Sequence, residues 1–156
     1  MIYIFQKIRA LENQMFIDPT SNLANTKVFI AHGELDTIVP IVQAYKIRQY
    51  YEAFGVDSSK IEALLNIQAE HAIISNRRGT PCGQMNPPTF IENCNIDTVQ
   101  KMFQHFYPNM VNPGADGEFS SSLKSFSQGE FFEKYASMSD TGYYYVPDAC
   151  NSNGVT

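Results

Sequence analysis

The sequence predicts an α/β fold with a parallel sheet, and three observations carry that expectation. Val28, Phe29, Ile30 and Ala31 run consecutively within Lys27 to His32, which suits a strand buried on both faces. Val42 to Phe54 spaces Val42, Tyr45, Ile47, Tyr50, Tyr51 and Phe54 as a helix does, with Gly55 placed to end it. Lys60 to Ile67, rich in Ile and Leu, reads as a second strand. Strand, helix and strand in that order make a right-handed βαβ unit with parallel strands. The turns after the two strands therefore open on the same edge of the sheet, where open α/β sheets bind ligands.

The other elements follow along the chain. Met1 to Phe16 keeps apolar residues at Ile4, Ile8, Leu11 and Met15 and reads as an amphipathic helix. Lys7, Arg9 and Glu12 interrupt it before a signal-peptide hydrophobic region can form, so no signal peptide is expected on this chain. Met1 is expected to stand inside a longer coding sequence. Asp18 to Asn22 is a turn, and Arg77 to Cys94 is an excursion containing Gly and Pro. Asp97 to Tyr107 is a helix stopped by Pro108. Asn112 to Gly117 is a turn cluster, Gly117 to Phe132 holds one or two strands, and Gly142 to Val146 is a strand ended by Pro147.

Composition narrows the function. A chain of 156 residues is expected to form one domain over 1–156 with no separate second domain. With 44% hydrophobic and 17% charged residues it can bury a core. A net charge of −5, with no cluster of Lys and Arg, argues against nucleic acid or an anionic membrane as partner. No apolar run approaches the roughly 18 residues a membrane span needs. The cysteines number three, Cys82, Cys94 and Cys150, so at least one is free or pairs elsewhere. Cys82 and Cys94 flank a loop; oxidised, they would stabilise the fold by about 3 kcal/mol, and reduced they are two ordinary thiols.

The chemistry lies in the two turns. A hydrolytic triad needs an acid that orients a histidine, and a histidine that takes the proton of a nucleophile. Gly33-Glu34-Leu35-Asp36 with Val39-Pro40 puts Asp36 just past a buried strand, and His71 follows one helix and one strand later. That is the order of the last two members of a Ser, acid, His series. Competing readings make Asp36 a helix N-cap and His71 a solvated loop residue. Glu70 is set aside as the partner of His71 because adjacent residues at a strand end point apart. Glu34 is a weaker rival acid, and His32 and His105 read as structural. Three scattered histidines lack ligand spacing, so no metal is expected, and no dinucleotide or phosphate motif calls for a cofactor. No Gly-x-Ser-x-Gly nucleophile elbow occurs, and Ser120-Ser121-Ser122 lacks the glycines. A Cys82–His71 pair is a poor substitute.

Several stretches resemble the extracellular poly(3-hydroxybutyrate) depolymerases: Ile17 to Leu23, Gly33 to Val39, Cys94-Asn95 leading to Gln104-His105-Phe106-Tyr107, and Ser139 to Pro147. The run Met138-Ser139-Asp140-Thr141-Gly142-Tyr143 is the most specific. The resemblance implies a circularly permuted α/β-hydrolase, three-layered on a mainly parallel sheet, of which this chain would be a central to C-terminal part lacking the serine elbow. It implies that Gly142 to Val146 is an early strand of the sheet, that Cys82 pairs with Cys94, and that Cys150 pairs with a cysteine beyond the chain end. It also implies a secreted enzyme cleaving polyester or small ester substrates through an acyl-enzyme, with His71 as base and Asp36 as its orienting acid. The other reading is a non-catalytic remnant or interaction module of the same fold.

Overall fold

The structure is a computed structural model that describes residues 2–85, 89–110, 123–133 and 135–146. They fall into two compact units, one up to Met110 and one after it.

In the first unit, α1 (Ile2–Asn13) leads through a short 3-10 turn (Thr20–Asn25) into β1 (Val28–Gly33). Then come α2 (Val42–Ala53), a 3-10 turn at Ser58–Lys60 and β2 (Ile61–Ile67). Three very short strands follow, β3 (Ile73–Ser75), β4 (Thr80–Pro81) and β5 (Ile91–Asn93), and then α3 (Thr98–Phe106). β1 and β2 pair in parallel from Val28↔Ile61 to Gly33↔Ile67. β3, β5 and β4 form a second parallel sheet in that order. Helices mixed with parallel strands bear out the α/β class.

The βαβ unit forms because its apolar residues fit both elements. Val28, Ile30, Ala44, Val56 and Ile61 make one buried cluster, with Leu23, Ile41, Tyr51, Ala63 and Leu65 packed around it. α2 ends where Gly55 turns at φ +91°, a left-handed conformation that costs glycine little. Ile67, Ala69 and Ile74 make a second cluster beside the cystine of Cys82 and Cys94. α1 reaches α2 through Phe5, whose ring meets Tyr50 and Phe54. It is tied down again where the Glu12 carboxylate accepts from the amide and hydroxyl of buried Thr20.

The structure refines three expectations. β1 is not buried on both faces: Val28, Ile30 and Gly33 are buried, whereas Phe29 is half-buried and Ala31 exposed. Among the described residues that sheet has two strands, with Phe29 covered on its face by the His105 ring. The excursion from Arg77 to Cys94 holds two short strands, β4 and β5. The disulfide bond lies within the chain, Cys82 to Cys94 with an S–S length of 2.01 Å. This is the pair that the resemblance implied; among the described residues no cysteine pairs beyond the chain end, and Cys150, for which that was expected, lies outside them.

In the second unit, β6 (Leu123–Ser127) and β7 (Thr141–Tyr145) form an antiparallel pair, with a 3-10 turn at Gly129–Phe131. The strand expected at Gly142 to Val146 is thus found, and its described neighbour is antiparallel. The turn expected at Asn112 to Gly117 lies outside the described residues, as do Ser120-Ser121-Ser122 and the tail from Asn151.

Candidate active site

The two turns continue the β1–β2 ladder beyond the strands. The Glu34 amide donates to the Ile67 carbonyl at 2.6 Å, and the Leu35 amide to the Ala69 carbonyl at 3.0 Å. The Gln68 side-chain amide donates to the Glu34 carboxylate. Gly33 is needed for this closeness, because a Cβ there would overlap the carbonyl oxygens of Ala69 and Glu70. The last contact joins the side chains: His71 Nδ1 lies 3.0 Å from Asp36 Oδ2.

Asp36 is held from every side. Its Oδ1 accepts from the Ile38 amide at 2.9 Å and the Val39 amide at 2.7 Å. That turn, rather than a helix cap, is its local structural role; the residue before α2 is Ile41, which makes no side-chain cap. Only 6% of the Asp36 side chain is exposed. Burial works against its ionisation. The amide of Val39, the His71 ring, the amide of Ile38 and the charge of His71 together outweigh it, so the carboxyl sits below its ordinary range. The site therefore presents a carboxylate at neutral pH. Because a carboxylate only accepts, Nδ1 of His71 carries the hydrogen and Nε2 is left for a reaction partner.

His71 is 40% exposed and faces a cleft of about 420 Å³. Val39, Ala72, Ile73 and Phe90 give the cleft apolar walls. The Phe90 ring meets His71 edge to face, with centroids 6.1 Å apart and planes at 82°. Phe90 holds φ at +46°, an unusual conformation for a large side chain, and its carbonyl accepts from the Ile73 amide at 2.7 Å. An imidazole whose acid is fixed, opening on an apolar cleft, can take a proton from a hydroxyl and return it to a leaving group.

The structure thus brings Asp36 and His71 together and puts the other candidates elsewhere. Glu34 pairs with Gln68, and Glu70 turns to Thr37. His105 faces Glu62 and the Lys60 carbonyl. His32, read as structural, donates from Nδ1 to the Gly33 carbonyl at 2.8 Å, yet its Nε2 also comes within 3.7 Å of Asp36 Oδ2. It lines the same cleft. Neither that proximity nor the wall formed by Phe90 is legible in the sequence, since both depend on turns crossing between strands. Among the described residues, Cys82, Cys94 and Glu92 are close enough to share an ion, but both sulfurs are spent in the disulfide.

No family model matches the chain. Over 142 residues it is 33% identical to the poly(3-hydroxybutyrate) depolymerase of Delftia acidovorans, a match covering 91% of this chain and 28% of that protein. It is 27% identical over 139 residues to the polyhydroxybutyrate depolymerase of Talaromyces funiculosus, covering 87% of this chain and 40% of that one. The crystal structure of PHB depolymerase from Penicillium funiculosum superposes with a TM-score of 0.73 at 26% identity, over 86% of this chain and 42% of that one. A serine-to-alanine PHB depolymerase complexed with an R3HB trimer gives 0.74 at 27%, with the same coverage. The chain therefore spans less than half the length of the relatives it matches. An identity of 33% across nine-tenths of the chain, joined to a shared backbone course, decides its kinship: the chain belongs to the poly(3-hydroxybutyrate) depolymerase family.

Proposed function

We propose that this chain supplies the acid and the base of a serine ester hydrolase acting on short-chain polyhydroxyalkanoate or small ester substrates. The observation that carries the reading is the 3.0 Å bond between Asp36 Oδ2 and His71 Nδ1 at the carboxyl ends of adjacent parallel strands. In this reading the fold is part of a three-layer α/β-hydrolase, circularly permuted and secreted. A serine outside these 156 residues attacks the ester carbonyl, and His71 Nε2 accepts its proton. Asp36 holds the ring and stabilises the imidazolium while backbone amides stabilise the oxyanion. The alcohol leaves with the proton from His71. Water then repeats the cycle on the acyl-enzyme and releases a hydroxy acid. The internal cystine agrees with an oxidising compartment.

A second reading is favoured by one observation. The 156 residues contain no Gly-x-Ser-x-Gly string, so the chain by itself is a non-catalytic module of the fold. Hydrolysis of a short-chain p-nitrophenyl ester separates the two. The 156-residue chain gives no serine-dependent turnover, and labelling of any of its serines by a fluorophosphonate would contradict that. In an extended protein that includes the serine, Asp36→Asn and His71→Ala each lower kcat by about 10⁴-fold or more. Near-normal rates in either variant defeat the assignment.

A further inference from the structure

Each turn offers two neighbouring side chains to the other. Asp36 meets His71; Thr37 meets Glu70. The Glu70 Oε2 atom accepts from the Thr37 amide at 2.9 Å and from the Thr37 hydroxyl at 2.9 Å. This second pair runs beside the first, one residue along the aspartate turn and one residue back along the histidine turn.

Glu70 is itself anchored. Its amide donates at 3.2 Å to Oε2 of Glu92, whose side chain is wholly buried. The same oxygen accepts from the Gly83 amide at 2.7 Å, next to the cystine at Cys82. A continuous set of bonds therefore leads from the cystine through Glu92 and Glu70 to the turn that bears Asp36. On the far side of His71, the Ile73 amide is bound to the Phe90 carbonyl. The histidine lies between two fixed points of backbone, and the aspartate turn is fastened to one of them.

We propose that Glu70 is a positioning residue, which sets the Asp36–His71 distance by gripping Thr37. This rests on the reading of Asp36 and His71 as acid and base. Without the grip the Asp36 carboxylate keeps its own turn but loses its place relative to His71. A shift of that kind lowers kcat and leaves substrate binding alone, because Glu70 does not line the cleft.

The test uses the extended protein, with kinetics on a p-nitrophenyl ester and NMR of 15N-labelled histidine. The His71 signal is assigned by its disappearance in His71→Gln. Glu70→Ala should lower kcat by about 10- to 100-fold with KM within about twofold, and should shift or broaden the Nδ1 proton of His71. Glu70→Gln keeps an oxygen that accepts from Thr37 and should recover most of the loss. If Glu70→Gln is as damaged as Glu70→Ala, the negative charge acts rather than the grip, and the proposal is wrong. It is equally wrong if Glu70→Ala leaves kcat and the His71 signal unchanged. Should Glu70→Ala not fold, Thr37→Val decides: a fall in kcat of about threefold at constant KM supports the grip, and an unchanged kcat overturns it. Failure of the triad reading looks different, for then Asp36→Asn leaves hydrolysis intact.

Discussion

Asp36 uses both of its oxygens, and the two serve different neighbours. Oδ1 closes its own turn through Ile38 and Val39, while Oδ2 reaches His71 and, more distantly, the Nε2 of His32. Its carboxyl titrates below the ordinary range, so its contribution to stability is full above the unfolded value of about 3.9 and is lost as pH falls through the lower folded value. Urea titrations of wild type and Asp36→Asn should therefore converge below about pH 4 and separate above it. Parallel curves across that range would mean that the carboxylate is not the titrating group. The meeting of Asp36 and His71 was legible, because a glycine turn after an apolar strand constrains where Asp36 can stand. The role of Glu70 was half legible. Adjacent residues at a strand end do point apart, which removes it from His71, but nothing in the order of residues says that Thr37 waits on the other side.

At the scale of elements, the strand–helix–strand unit was readable nearly to the residue. β1 and β2 are long enough for an apolar run to register, and α2 shows helical spacing with a glycine at its end. β3, β4 and β5 were not readable. Strands of two or three residues carry no periodicity, and these are held by the cystine and by a buried glutamate rather than by an apolar stripe. Gly33 sits where the readable part meets the turns that bear Asp36 and His71. Its φ is not left-handed; its demand is for space against the carbonyls of Ala69 and Glu70. Gly33→Ala should destabilise by about 2 kcal/mol or more, seen as a lower urea midpoint. It should also weaken the Asp36–His71 bond, since the backbone has to part. A midpoint within error of wild type would show that the turns adjust freely.

For the molecule as a whole, two small buried clusters carry the first unit, and the cystine fastens the second of them. Cys82 and Cys94 close a loop of 12 positions that includes Glu92 and Phe90. Reduction should lower stability by about 3 kcal/mol on the loop-entropy account. It should lower kcat as well, because Glu92 holds the loop before His71 and Phe90 walls the cleft. The check is a thermal scan and an ester assay of the extended protein, with and without dithiothreitol. An unaltered midpoint on full reduction, verified by thiol titration, would remove the cystine from the account. The described part of the second unit is a two-stranded antiparallel pair with exposed Phe126, Tyr143, Tyr144 and Tyr145, and such pairs are marginal alone.

The irregular register between β1 and β2 has a consequence for how the site tolerates insertions and deletions. Val28 faces Ile61, an offset of 33 (61 − 28), whereas Gly33 faces Ile67, an offset of 34 (67 − 33). The extra residue is taken up on β2 at Leu65 and Asn66, and the contact that follows joins Asp36 to His71 at an offset of 35 (71 − 36). Removing one residue from that bulge would carry Ala72 into the place that His71 holds opposite Asp36. Lengthening the α2 connection, by contrast, leaves the count untouched. The contact of Asp36 with His71 is therefore set by the residue count along β2: it survives changes of length between the strands and is undone by a change of one within them.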